Sequence, residues 1–123
     1  MNEVDCAWVA GLLEGEGAFY LRTNRPISKL GRSYGPYSYP TVAVCMTDRD
    51  VLDRLCEKTG KGAVTGPRER PLRPEEKPVF YWTVTRTVEA LALMLEVLPH
   101  MCERRAAQIR VLLDRFDPES LTD

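Results

Sequence analysis

Residues 8–19 read WVAGLLEGEGAF, and the chain changes character inside them. The run CAWVAGLL (6–13) is unbroken apolar sequence, which suits either a buried strand or a buried helix. Small residues decide for the helix: Ala7, Gly11 and Gly15 recur at i, i+4 and i+8 and line one helical face. Glycine is costly inside a helix, so such a stripe has a packing reason, the close approach of another backbone. After Gly17 the period becomes two. Phe19 and Leu21 alternate with Tyr20, Arg22 and Asn24, a strand with one core face and one polar, aromatic face. Two carboxylates, Glu14 and Glu16, stand at the junction, interleaved with Gly15 and Gly17. A helix ends in partial negative charge, so each acid there costs roughly a few tenths of a kcal/mol or more. Two such acids in three residues suggest that the junction holds a cation.

The remaining pattern extends this unit. The stretch Pro26–Pro40 reads as a long hairpin loop, and TVAVCM (41–46) as a second strand with Val42 and Val44 inward. In TDRDVLDRLCEKTGKG (47–62), Thr47 caps a helix with Asp50 three residues on; Val51, Leu52, Leu55 and Cys56 form its apolar face and Gly60 ends it. A short strand (62–66), a Pro- and charge-rich loop to Pro78, and the alternating VFYWTVT (79–85) make a second hairpin. Phe80, Trp82 and Val84 point one way; Tyr81, Thr83 and Thr85 point the other. Thr87 caps VEALALMLEVL, Pro99 interrupts, and CERRAAQIRVLLDRF (102–116) is a last amphipathic helix. The order αββαββα predicts an α+β fold over residues 1–123, an antiparallel sheet with helices on one face. Its uncovered face carries Tyr20, Arg22, Asn24, Tyr81, Thr83 and Thr85, flanked by loops bearing Arg25, Lys29, Arg32, Arg68, Arg70 and Arg73.

A chain of 123 residues suits one domain with a real core. No apolar run approaches the ~18 residues needed to span a bilayer. The start MNEVDC is acidic where a signal peptide is basic, which predicts a cytoplasmic protein, not a secreted or membrane one. Cys6, Cys45, Cys56 and Cys102 show no CxxC spacing and read as reduced, mostly buried thiols. A net charge of −1 argues on its face against nucleic acid. The distribution argues otherwise. Gly17–Thr47 holds four basic residues and no acid, and 61–86 has a net charge of +3. The segments read as helices carry the compensating −8. The molecule is polarised, with its cations on the strands and loops.

These residues resemble a known family. VAGLLEGEG, Val9 to Gly17, is similar to the LAGLIDADG motif of homing endonucleases; DRDVLDRLCEKTGKG looks like that family's second helix and the Gly-x-Gly turn after it, and LPHMCERR its leucine-proline segment followed by a basic residue. The resemblance covers nearly the whole chain. It implies a sequence-specific double-strand DNA endonuclease that hydrolyses phosphodiester bonds at a long pseudo-palindromic site, leaving short 3′ overhangs, in an intron-encoded or other mobile element of bacterial, phage or organellar context. One motif copy implies a homodimer, whose interface is Ala7, Trp8, Gly11, Leu12 and Gly15. Glu16 is then the catalytic carboxylate and metal ligand, with the Gly15 carbonyl beside it; Glu14 is structural. Mg²⁺ is the implied cofactor, Mn²⁺ or Ca²⁺ substituting in binding, with no small-molecule cofactor. Two positions depart from the family: Met46 stands where a Gln often orders water, and Arg104 where a Lys often stands. Arg104 keeps the charge near the reactive phosphate, whereas Met46 cannot position water. The matching DNA-binding residues are Tyr20, Arg22, Asn24, Tyr81, Thr83 and Thr85, with Arg25, Lys29, Arg32, Arg68 and Arg70 on phosphates. Relatives of the fold also serve as RNA maturases or transcription regulators, so the alternative is a DNA- or RNA-binding protein without the chemistry.

Overall fold

Helix α1 spans Glu3–Glu16, and its start is set by Asn2, whose side chain accepts the Asp5 N–H at 2.7 Å. The structure, a computed structural model, describes residues 1–69, 73 and 75–116. Strand β1 (Gly17–Thr23) follows α1 without a connecting loop. Next come β2 (Ile27–Lys29), β3 (Arg32–Tyr34) and β4 (Ser38–Met46), then α2 (Arg49–Thr59). Strands β5 (Ala63–Arg68) and β6 (Val79–Val84) precede α3 (Thr87–Val97), a 3-10 turn over Leu98–His100 and α4 (Glu103–Arg115). The main sheet is antiparallel in the order β1-β4-β6-β5.

All four helices pack against this sheet. Phe19, Val42, Val44, Trp82 and Val84 meet Val9, Leu13, Leu52, Leu55, Leu93, Met94, Val97, Ile109 and Leu112 in one core. Burial of each such side chain contributes about 1.5–3 kcal/mol. Trp82 sits at its centre, fully buried, with Nε1 donating to the Lys61 carbonyl at 3.0 Å. Gly62 makes room for it: φ is +82°, and a Cβ there would lie 2.6 Å from Trp82 Nε1. Gly62→Ala is expected to destabilise the fold by about 2–4 kcal/mol, backbone strain and the clash combined, read as a lower urea midpoint at unchanged slope.

Several expectations are corrected. The stretch 26–40 is not all loop: β2 and β3 pair as a separate two-stranded ribbon, turned by Leu30 and Gly31 at φ of 51° and 75°. Asp48, not Thr47, takes the cap position of α2, and Arg86, not Thr87, that of α3, neither with a side-chain capping bond. The thiols are all free but not mostly buried: Cys6 is, Cys45 and Cys102 are exposed. Among the described residues no helix is long and apolar enough to cross a membrane.

Candidate nucleic-acid interface and its acidic end

The sheet face away from the helices is an open groove. The β1–β4 register sets Tyr20 opposite Thr41 and Ala18 opposite Ala43, while β4–β6 sets Ala43 opposite Thr83 and Cys45 opposite Tyr81. Period two then puts one residue set on the floor. Glu16, Ala18, Tyr20, Arg22, Ala43, Cys45, Thr65, Arg68, Tyr81 and Thr83 line it. Among the described residues Glu16 is the one acid that lines it, and it stands at one end. Of the expected contact residues, the structure brings Tyr20, Arg22, Arg68, Tyr81 and Thr83 together here. Ala18, Ala43, Cys45 and Thr65 were not anticipated, although the inward reading of Val42 and Val44 already turned Ala43 and Cys45 outward.

Arg68 reaches the groove through an irregularity. Thr65 pairs with Tyr81 and Arg68 with Val79, so β5 carries one residue more than β6 between those pairs. A bulge of this kind re-aims the side chain that follows it. Without it Pro67 would take that place. The guanidinium lies 4.9 Å from the Tyr81 ring centroid, a stacked cation over an aromatic face.

Other candidates lie elsewhere. Asn24 is just past β1, and its side-chain oxygen accepts the Tyr39 hydroxyl at 3.1 Å. That bond uses one of the two lone pairs of the oxygen and orients the amide. Thr85 is exposed beyond β6, and Arg25 is exposed between β1 and β2. Lys29 and Arg32 face one another across the ribbon, both exposed. Arg70 lies outside the described residues. Met46 ends β4 opposite Phe80 and packs against the core, so its thioether is a packing element there. Arg104 is exposed on the first turn of α4.

Glu14 and Glu16 have different surroundings. The Glu14 carboxylate accepts the backbone N–H of Cys102, and that bond, with the Cys102 thiol and the charges of Arg105 and Arg104, holds it below the usual carboxylate range against partial desolvation. The same contact raises the Cys102 thiol. Glu14 thus ties the end of α1 to the start of α4. Glu16 is exposed and makes no ion pair with a described residue.

The outward side of α1 is apolar too. At 100° per residue, Val4, Ala7, Trp8, Gly11, Leu12 and Gly15 fall within an arc of about 140°. Val4 is 77% exposed, and a Cβ on Gly11 or Gly15 would meet nothing within 4 Å. Trp8 and Leu12 are half-buried at the edge of this arc, Trp8 under the Arg54 and Lys58 side chains.

No protein-family model matches the chain, and no curated protein does so either. Solved structures do. An archaeal intron-encoded homing endonuclease, I-Vdi141I complexed with DNA, aligns at TM-score 0.63 and 16% identity over 97% of this chain and 73% of that one. I-CvuI, with DNA not cleaved in 2 mM Mg, aligns at 0.64 and 19% over 97% and 74%. I-LtrWI, a LAGLIDADG homing endonuclease bound to target DNA, aligns at 0.62 and 18% over 94% of this chain and 38% of that one. The chain has the LAGLIDADG homing-endonuclease fold.

The donors that this LAGLIDADG-fold chain offers a cation are hard oxygens. Glu16 supplies a carboxylate that has no ion-pair partner among the described residues. Among the described residues, no backbone donor of another element is bonded to the Gly15 carbonyl in the last turn of α1. No three His, Cys, Asp or Glu of the described residues gather into a metal-binding group. A cation as hard as Mg²⁺ needs no such cage; it binds through one or two carboxylates plus phosphate and water. The residues present fit that chemistry as half of a site.

Proposed function

We propose that the chain is one half of a homodimeric DNA endonuclease that cuts both strands of a pseudo-palindromic site with divalent cations, Mg²⁺ foremost. The observation that carries this is the position of Glu16: an acid without an ion-pair partner among the described residues, at the end of a groove otherwise lined by Tyr, Arg, Thr, Ala and Cys45, beside an exposed apolar helix face. A second copy packed on the α1 face, with Ala7, Trp8, Gly11, Leu12 and Gly15 in the contact, brings two Glu16 carboxylates toward one axis. Each groove then holds one half-site, which is why a two-fold protein reads a roughly two-fold target. The DNA-bound state of the three similar structures supports the groove reading.

Each residue has a part. Arg22 is free to donate to a guanine edge, and Thr83 to either base type. Arg25, Lys29 and Arg32, with Arg70, neutralise phosphates and set the register. Glu16 and the Gly15 carbonyl hold the cation, and Arg104 contributes positive charge near the phosphate. When bound, the cation activates water and stabilises the departing oxygen. Met46 orders no water, so other groups must.

The test is a plasmid carrying the uninterrupted form of the locus in which the gene resides, incubated with the protein in Mg²⁺. The expected product is linear DNA with short 3′ overhangs. Tight binding without cutting, in Mg²⁺ or Mn²⁺, would reassign the chain to recognition alone, the maturase or regulator reading. Absence of specific binding would overturn both.

A further inference from the structure

The end of α1 and the start of α4 are tied by a reciprocal contact. Cys102, in the cap position of α4, makes no side-chain capping bond, and its own backbone N–H goes to the Glu14 carboxylate. In return the Arg105 Nε donates to the backbone carbonyl of Glu14 at 3.2 Å and stands 3.9 Å from Glu14 Oε2. The Arg105 side chain is only 12% exposed, and its Nη1 donates to Gln108 Oε1 at 3.2 Å. It is a held side chain, unlike Arg104 beside it.

What Arg105 holds is a carbonyl without a partner in its own helix. The last four carbonyls of a helix lack intrahelical donors. In α1 the Gly17 N–H closes on Leu13, and Arg105 closes on Glu14. The last turn of α1 contains no basic residue, so the cation facing its negative end comes from α4. Gly17 is held at the other side by its N–H bond to the Leu13 carbonyl, so close to that oxygen that an added Cβ would lie 2.6 Å from it. Between these two fixed points stand Gly15 and Glu16.

We propose that Arg105 is a positioning residue for Glu16: by gripping the Glu14 carbonyl it fixes the turn that presents the Glu16 carboxylate and Gly15 carbonyl to a divalent cation. This rests on the nuclease reading for the cation, but not for the grip itself. Arg104 and Arg105 then divide the work, the first turned outward to the phosphate, the second inward to the helix end.

Two measurements test it on the full chain, with Arg105→Ala and the conservative Arg105→Lys. Amide hydrogen exchange of Arg105→Ala is expected to rise about tenfold in peptides covering residues 13–19 and 101–105, with the sheet and α2 unchanged. Mn²⁺ binding to the DNA complex, followed by electron paramagnetic resonance, is expected to weaken about tenfold, the lower end of what outer-shell partners of metal ligands contribute. DNA affinity in EDTA should stay within about twofold, because Arg105 does not line the groove. Arg105→Lys should recover most of the Mn²⁺ affinity. Unchanged exchange at 13–19, or a rise throughout the chain, would overturn the proposal. A wild-type complex that binds no Mn²⁺ would instead remove the nuclease reading, and the exchange measurement would still decide the grip.

Discussion

Glu16→Gln is expected to lower the single-turnover cleavage rate by about 10³-fold or more, roughly 4 kcal/mol of barrier, while DNA binding in Ca²⁺ changes by less than about tenfold. Glu16 is the one acid lining the groove, and it has no ion-pair partner among the described residues. Its removal therefore breaks no internal contact and leaves the groove fold intact. An amide keeps the shape but not the charge that holds a hard cation. In the proposed complex binding rests on Arg22, Arg68 and the loop cations; the variant loses both a carboxylate that repels phosphate and the Ca²⁺ that it would hold, two opposing effects that leave the net change small. Gel shift and rate measured on one preparation separate the two effects. Cleavage retained within about tenfold would remove Glu16 from the reaction.

On the homodimeric nuclease proposed above, Gly11→Leu is expected to leave only a monomer of 14.0 kDa by light scattering and to abolish double-strand cleavage with it. The substitution is clean because the monomer has no objection to it: a Cβ at Gly11 meets nothing within 4 Å. Replacing a helical glycine even favours the isolated fold, by about 0.8–1 kcal/mol. A chain that keeps Gly11 and Gly15 in α1 forgoes roughly twice that, and close helix packing at 8–10 Å between axes is the physical reason to do so. The expected signature is thus paired: thermal stability of the monomer held or raised, assembly lost. A variant that remains dimeric would place the interface on another face.

Legibility in the sequence followed the strength of the local signal. The α1–β1 junction was plain because the period switches at Gly17, and β4 and β6 because Val42, Val44, Trp82 and Val84 alternate strictly. The β2–β3 ribbon was not, since its three-residue strands are wholly exposed and carry no apolar alternation. Its turn also hides: Leu30 adopts the left-handed conformation that Gly or Asn usually fills. The caps were missed for different reasons: Asp48 is at least as good a capping type as Thr47, so residue type does not choose between neighbours, whereas Arg86 is a poor capping type standing beside Thr87. At the site, Tyr20, Arg22, Tyr81 and Thr83 followed from alternation, and Glu16 from the two acids at the helix end and the motif resemblance. The presence of Arg68 in the groove depends on one extra residue in β5, and that of Cys45 on following the outward face of β4 to its end. The Tyr39 bond to Asn24 and the grip of Arg105 on Glu14 are long-range contacts, which periodicity does not encode.

The two tryptophans sit in opposite situations. Trp82 is sealed in the core with its N–H bonded to Lys61, so its emission is set by the folded sheet alone. Trp8 stands at the rim of the bare α1 face, its ring 5.6 Å from the Arg54 guanidinium carbon and 5.7 Å from the Lys58 ammonium. Anything that settles on that face changes the polarity and water contact of one indole and leaves the other untouched. The molecule thus carries its own optical pair, one fluorophore reporting integrity and the other reporting company.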